Sequence, residues 1–290
     1  MKTLFRPYLN CFEQDDPFLI NELKTKNLKH PSVDPYNWTV EDPEELHYGQ
    51  FGQPVYLDNV IFKKQVKNGF FIEAGADDFE KDSNSLLFEM KYGWSGLLVE
   101  PNPAVYPKGL YRNRKAWAAT TCFSTTSKPQ TIPFSSGLFE GGMAGIAPEA
   151  TEETIDMQCF PFYSLLMATA PNTTVNYLSL DIEGAEFQVL QTIPWDKVDI
   201  EVLTVETEHA GKVFPGTRKE IIQYLGEQGY VHVTSISVDD VFVRKDLFEG
   251  KYAPDMTQHQ RLMENMKKYG SFLEPEQDND GETGQQREEL

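Results

Sequence analysis

Residues 71–78 read Phe-Ile-Glu-Ala-Gly-Ala-Asp-Asp, a short apolar run that ends in a carboxylate and enters a glycine turn. No other stretch constrains the fold as much. A second apolar run, Gly96-Leu97-Leu98-Val99-Glu100-Pro101-Asn102, also closes on an acid, and Glu100 follows Glu73 by 27 positions (100 − 73). Between them, Ser83 to Lys91 carries Leu86, Leu87 and Met90 on one side at helical spacing. The pattern predicts a strand–turn–helix–strand unit with an acid at each strand tip. Strands joined through a helix must be parallel.

Such a unit suits a nucleoside ligand. The glycine lets backbone N–H groups approach it, and the acid ending the second strand can accept from two ribose hydroxyls. Dinucleotide and S-adenosylmethionine sites share this logic. The dinucleotide pattern wants G-x-G-x-x-G, whereas here Gly75 stands alone among Ala74, Ala76, Asp77 and Asp78. A pyrophosphate is repelled by nearby carboxylates, and a sulfonium ligand carrying an ammonium tolerates them. The turn therefore points to S-adenosylmethionine; the plain alternative is a buried βαβ unit without a ligand.

Composition narrows the partners. The net charge is −19, of which −6 belongs to residues 274–290, a stretch almost without apolar side chains that is expected to be disordered. The rest still argues against nucleic acid or an anionic membrane as the main partner. No apolar run reaches the roughly 20 residues of a membrane span. The start has no secretory h-region, so the sequence as given reads as cytoplasmic. Three cysteines, Cys11, Cys122 and Cys159, fit no metal-ligand spacing. They are read as three buried thiols, with a Cys122–Cys159 disulfide as the alternative. Two sequons, at Asn37 and Asn172, and the terminal Arg-Glu-Glu-Leu are compatible with a secretory setting or with chance.

Along the chain, residues 1–52 read as a preamble with a short amphipathic helix over Pro17–Asn27 and proline-punctuated extended chain after it. Residues 53–250 form the main domain, 251–272 hold a last helix, and 273–290 are the acidic tail. Helices are expected at 53–66, 83–91, 102–111, 163–168, 186–192, 218–227 and 255–269. Strands are expected at 70–74, 96–100, 116–122, 154–160, 175–181 and 200–206, with a closing antiparallel pair at 230–234 and 240–244. Gly137–Ala147 reads as an exposed loop. The sum is an α/β chain: a Rossmann-like, mostly parallel sheet closed by an antiparallel hairpin, with helices on both faces.

In an open parallel sheet, ligands sit beyond the carboxyl ends of the strands. Four strand ends here carry acids: Glu73, Glu100, the run Asp181-Ile182-Glu183-Gly184-Ala185-Glu186, and Glu206-Thr207-Glu208-His209. Acids are poor strand residues and costly to bury, so their repetition at one edge predicts a polar pocket. The bland reading is helix capping. Asp181 and His209, with Glu183, are the candidates to serve a methyl acceptor as base. Asp181, Glu183, Glu206 and His209 could instead hold a divalent ion, but no spacing demands it and no metal is assigned. Glu73, Gly75, Ala76, Asp78, Ser83, Asn84, Glu100, Pro101 and Asn102 are the candidate cofactor contacts. Glu100 is expected to hold the ribose, and Glu73, Gly75 and Ser83 the methionine end.

These residues resemble the FkbM-type family of S-adenosylmethionine-dependent methyltransferases. The resemblance rests on Glu73-Ala-Gly75-Ala, on Val99-Glu100-Pro101-Asn102, and most of all on Ser179-Leu-Asp181-Ile-Glu183-Gly184-Ala185-Glu186 with Val189-Leu190 after it. A closer resemblance, over residues 16 to 250, is to the Star-like subgroup of arthropods. It rests on Pro35-Tyr36-Asn37, Asn68–Ala76, Ser83-Asn84-Ser85-Leu86, Asn113–Trp117 and Thr192-Ile193-Pro194-Trp195. The first resemblance implies methyl transfer from S-adenosylmethionine, here to a small-molecule or glycan-like hydroxyl acceptor. The second implies a non-catalytic module with a protein partner, acting in export of a growth-factor precursor, and a place in the secretory pathway or ER if the chain is a fragment. Where the family's turn carries Asp-Gly, this chain has Asp78-Phe79. Phenylalanine resists positive φ, so the turn is expected to differ or the ring to fill part of the pocket.

Overall fold

The computed structural model describes residues 7–41, 48–136, 144–147, 149–152 and 154–269. The acidic tail and most of the 137–147 stretch lie outside the described residues. Eleven strands are described: β1 (Leu28–Lys29), β2 (Phe70–Ala74), β3 (Ser95–Val99), β4 (Trp117–Ala119), β5 (Gln130–Ser136), β6 (Ala144–Ile146), β7 (Thr154–Cys159), β8 (Val175–Leu180), β9 (Ile200–Glu206), β10 (Tyr230–Ile236) and β11 (Asp239–Arg244). Eight form one sheet in the order β1-β4-β3-β2-β8-β9-β11-β10, and β6-β5-β7 form a second. The core of the large sheet, β4-β3-β2-β8-β9, is parallel. β11 and β10 close one side antiparallel and β1 the other.

The α-helices are α1 (Pro17–Glu22), α2 (Gln53–Tyr56), α3 (Leu86–Tyr92), α4 (Tyr106–Leu110), α5 (Phe162–Thr169), α6 (Glu186–Thr192), α7 (Arg218–Glu227), α8 (Lys245–Phe248) and α9 (Met256–Tyr269), beside a 3-10 turn at Pro7–Cys11 and π-helical turns at Leu23–Asn27 and Leu57–Ile61. Successive strand residues point to opposite faces, and the core divides accordingly. Ile72, Val99, Leu178 and Val205 pack against α1, α5, α6 and α7. Phe71, Leu98, Tyr177 and Val202 pack with α2, α3 and α9 on the other face. The Rossmann-like α/β fold expected from the sequence is the fold observed.

Several boundaries shift for local reasons. α3 begins at Leu86, because residues 83–85 are bound to Glu73 instead of entering the helix. α4 begins at Tyr106, because the Asn102 side chain accepts from the N–H of Ala104 at 3.0 Å and holds the chain in a turn. The expected helix at 53–66 is α2 followed by a wider π-helical turn, Leu57–Ile61. The expected strand at 116–122 shortens to β4, and the one at 154–160 joins the small sheet, not the large one. The reading of Gly137–Ala147 as loop fails at β6, which pairs with β5. Three buried thiols are not found: Cys122 and Cys159 form a disulfide, and Cys11 is exposed. Among the described residues, no helix is long and apolar enough to cross a membrane.

Candidate functional site

A cleft opens where the parallel strands end. Its wall includes Glu73, Gly75, Asp77, Asn84, Glu100, Pro101, Asn102, Asp181 and Glu183. Glu100, 5 % exposed, leaves β3 and accepts the N–H of Asp77 on Oε2 at 2.9 Å and that of Asn102 on Oε1 at 2.6 Å. Two donors fix the carboxylate plane, yet each oxygen keeps a lone pair. Burial pushes the Glu100 carboxyl up to about 7, against those two stabilising N–H groups.

Gly75 has φ 78, and a Cβ there would overlap the carbonyl oxygen of Asp181. The close approach of two strand tips by itself requires a glycine here. The N–H groups of Gly75 and Ala76 both donate to the carbonyl of Val99, at 3.0 and 3.2 Å. With Asp77 N–H given to Glu100, residues 75–77 have no backbone donor left for a pyrophosphate.

Glu73, 3 % exposed, accepts from Ser83 Oγ at 2.9 Å, from the N–H groups of Asn84 and Ser85 at 2.7 and 3.3 Å, and from Ser85 Oγ. Its carboxylate is consumed in holding this turn. Arg114, which the sequence gives no reason to single out, braces the same turn from behind. It donates to Glu89 at 2.8 Å, to the Ser83 and Ser85 hydroxyls at 3.2 and 2.9 Å, and to the Phe79 carbonyl. Ser83 and Ala76 are buried and Asp78 is bound to the N–H groups of Glu80 and Lys81 and to Arg112, so none of the three forms the cleft wall. Asn84 does, donating to Ser179 Oγ at 3.0 Å.

Phe79 corrects the expectation for the turn. It adopts the left-handed region itself, at φ 65, and its ring is buried against Tyr106 and Gly109, outside the cleft wall. The turn does not avoid positive φ, and the ring does not fill the pocket. Gln50, Gln53, Lys81, Cys122, Phe123, Phe134 and Ile146 also line the cleft. The last two come from the small sheet, whose strands carried no site signal in sequence.

The other flank is acidic. Leu180 pairs with Val205 and Asp239 with Glu206, so Asp181, Glu206 and Asp239 sit level across three strand ends. Glu186 accepts from the N–H groups of Ile182 at 2.8 Å and Gly184 at 3.0 Å, folding its own loop around itself. That loop needs left-handed backbone at Glu183 (φ 62) and Gly184 (φ 105). His209 Nδ1 lies 3.1 Å from Glu183 Oε2 and 3.4 Å from Glu206 Oε1. His209 is not part of the wall and meets it through Glu183. Burial, then repulsion from Asp239 and its neighbours, holds the Asp181 carboxyl well above the ordinary carboxylate range. Burial and Glu206 push Glu186 up to about 8. One carboxylate oxygen each of Asp181, Glu186 and Glu206 lies within 4.8 Å of the other two.

Compared with known families, the chain matches the methyltransferase FkbM domain over residues 73–231, more than half of its 290 residues. The match begins at Glu73 and takes in Glu100, the Asp181–Glu186 loop and Glu206. No curated protein matches the chain.

Proposed function

The chain belongs to the FkbM methyltransferase family, and from that premise we propose that it binds S-adenosylmethionine and methylates a hydroxyl oxygen of a small-molecule or glycan-like acceptor. The observation that carries the cofactor is Glu100: a buried carboxylate held rigid by two backbone donors, with lone pairs left for the two ribose hydroxyls. Pro101, Cys122 and Phe123 form an apolar wall beside it for a purine. The turn of residues 75–77 has spent its N–H groups, which disfavours a diphosphate and suits an adenosyl ligand. When bound, S-adenosylmethionine supplies an electrophilic methyl group on a sulfonium.

Asp181 faces the cleft, and burial with its acidic neighbours holds its carboxyl well above the usual carboxylate range, which makes its anion a stronger base. In this reading it would take the proton of the acceptor hydroxyl, while the sulfonium would give up its methyl group to the oxygen and leave as a neutral thioether. Glu183 and His209 form an adjoining pair that holds the loop and orients the acceptor. A second reading, a non-catalytic secretory-pathway module of the Star-like kind, draws on the Cys122–Cys159 disulfide, since disulfides persist in oxidising compartments.

Isothermal titration with S-adenosylhomocysteine separates the two. Micromolar binding that Glu100→Ala abolishes supports the methyltransferase. A well-folded protein that binds none of the ligand overturns the enzyme and leaves the module.

A further inference from the structure

The acidic flank is more than an N-cap and a base. Among the described residues, the Asp181 carboxylate makes no hydrogen bond, and no lysine or arginine pairs with Asp181, Glu186 or Glu206. Glu206 is 2 % exposed; its Oε1 accepts the His209 N–H at 3.0 Å and lies 3.4 Å from His209 Nδ1, and its Oε2 has no hydrogen-bond donor among the described residues. A buried carboxylate oxygen without a donor is costly. It calls for a partner, and Glu206 offers a carboxylate oxygen within 4.8 Å of one from Asp181 and one from Glu186.

We propose that Asp181, Glu186 and Glu206 bind one divalent, oxygen-preferring cation of the Ca2+, Mn2+ or Mg2+ class. The spacing fits. Oxygens on opposite sides of Ca2+ stand about 4.6–5.2 Å apart, and across Mg2+ about 4.0–4.2 Å. The three oxygens here lie within 4.8 Å of one another, close enough for all three to reach a single ion of this class. The donor set is all carboxylate, with no thiolate and no imidazole among the three, which selects hard cations over zinc or copper. Three formal negative charges meet a double positive one. A cation there gives the buried Glu206 carboxylate a counter-charge, and Asp181 a partner at the cleft wall. The cation's position beside the acceptor hydroxyl rests on the methyltransferase reading; its binding does not.

The test is a titration of chelator-stripped, full-length protein with Mn2+, followed by electron paramagnetic resonance, with Ca2+ and Mg2+ as competitors. We expect one site, weakened at least tenfold by Glu206→Gln and by Asp181→Asn and unchanged by Glu208→Gln, an exposed acid next to the site. Weak ions on the acidic tail are common to all variants and drop out of the comparison. Melting gives an independent readout that a purely structural glutamate would not produce. Without metal, Glu206→Gln raises the midpoint by removing charge repulsion; Ca2+ then raises the wild-type midpoint and leaves the variant's unmoved. Folded wild-type protein that binds no Mn2+ at millimolar concentration overturns the proposal. So does binding that both variants retain. If S-adenosylhomocysteine still binds in either case, the cation site fails alone and the methyltransferase stands.

Discussion

Phe79 sets two costs against each other. A left-handed backbone costs an L-residue about 1–2 kcal/mol, and the position reads as one for glycine. Yet the ring is 1 % exposed, packed on Tyr106 and Gly109, and losing a buried phenylalanine costs about 3–5 kcal/mol. Burial wins, and so Phe79→Gly is expected to destabilise the protein by about 2–3 kcal/mol, although it relieves the backbone. A chemical-denaturation midpoint above wild type would reverse that ranking. The sequence shows the φ conflict but not the ring's destination, because Tyr106 and Gly109 come from a helix some 30 positions later in the chain. Glu100 and Asp181 were legible for the opposite reason: an acid ending an apolar run needs no distant partner to be conspicuous. Asp78 and Ser83 carried similar local signals, but only the folded turn shows that Arg112, Glu73 and Arg114 absorb them. Glu100 also sets a pH dependence. Its carboxyl is raised from 4.5 to about 7 by burial, so its share of fold stability is fully present below about 4.5 and is lost as pH rises through about 7. Ligand binding runs the other way, since the ionised form accepts from both ribose hydroxyls. Affinity for S-adenosylhomocysteine is expected to rise roughly five- to tenfold from pH 6 to 8, and Glu100→Gln to lose that rise. A flat wild-type titration profile would refute it.

At the scale of elements, the large sheet could be read because helices and strands alternate with clear periodicity. The small sheet could not. β5 contains Pro133 in the middle strand, a residue that ordinarily argues against a strand. The Pro133 carbonyl accepts from Ala147 N–H at 2.8 Å, just past the end of β6, so the missing proline donor falls where that ladder is running out. β6 itself is three residues from a glycine-rich stretch, too short for any period to show. The small sheet matters because Phe134 and Ile146 wall the cleft and Gly145 passes over Glu183. A disulfide from Cys122, at the cleft, to Cys159, in β7, ties it to the large sheet across 37 positions. Closing a loop of that length is worth about 4 kcal/mol in the chain-entropy account. Cys159→Ser is therefore expected to lower unfolding stability by about 2–4 kcal/mol and to weaken S-adenosylhomocysteine binding. Denaturant titration with and without reductant checks it; identical curves would mean that the bridge carries no load.

Over the whole molecule, the segments that precede and follow the matched family region are built into the same body. β1 extends the sheet beside β4, and Leu9, Leu19 and Leu23 are buried on one face of the core. On the other, Tyr56 OH meets the His259 ring at 2.8 Å, and Gln53 donates to Asp239 beside the acidic flank. These links join residues about 190–200 positions apart, which no local pattern can announce. Charge, in contrast, is legible from composition alone, and here it has a specific consequence. The chain carries −19 overall, and the cleft wall bears Glu73, Asp77, Asp82, Glu100, Asp181 and Glu183 against the single cation Lys81 among its described residues. S-adenosylmethionine and S-adenosylhomocysteine carry the same hydrogen-bonding groups and differ by a methyl group and one positive charge at sulfur. An acidic cleft favours the charged ligand by an amount that salt must erode, because the Debye length shrinks from about 30 Å at 0.01 M to about 3 Å at 1 M. Affinity for S-adenosylmethionine is expected to fall several-fold between 20 mM and 500 mM salt, while that for S-adenosylhomocysteine changes little. The ratio of the two, measured by titration in the same buffers, isolates the sulfonium and cancels any salt effect on the fold. Parallel salt curves would mean that the acids are protonated or already neutralised by a bound cation. Repeating the titration after chelation distinguishes these two causes, since only removal of a cation would restore the divergence.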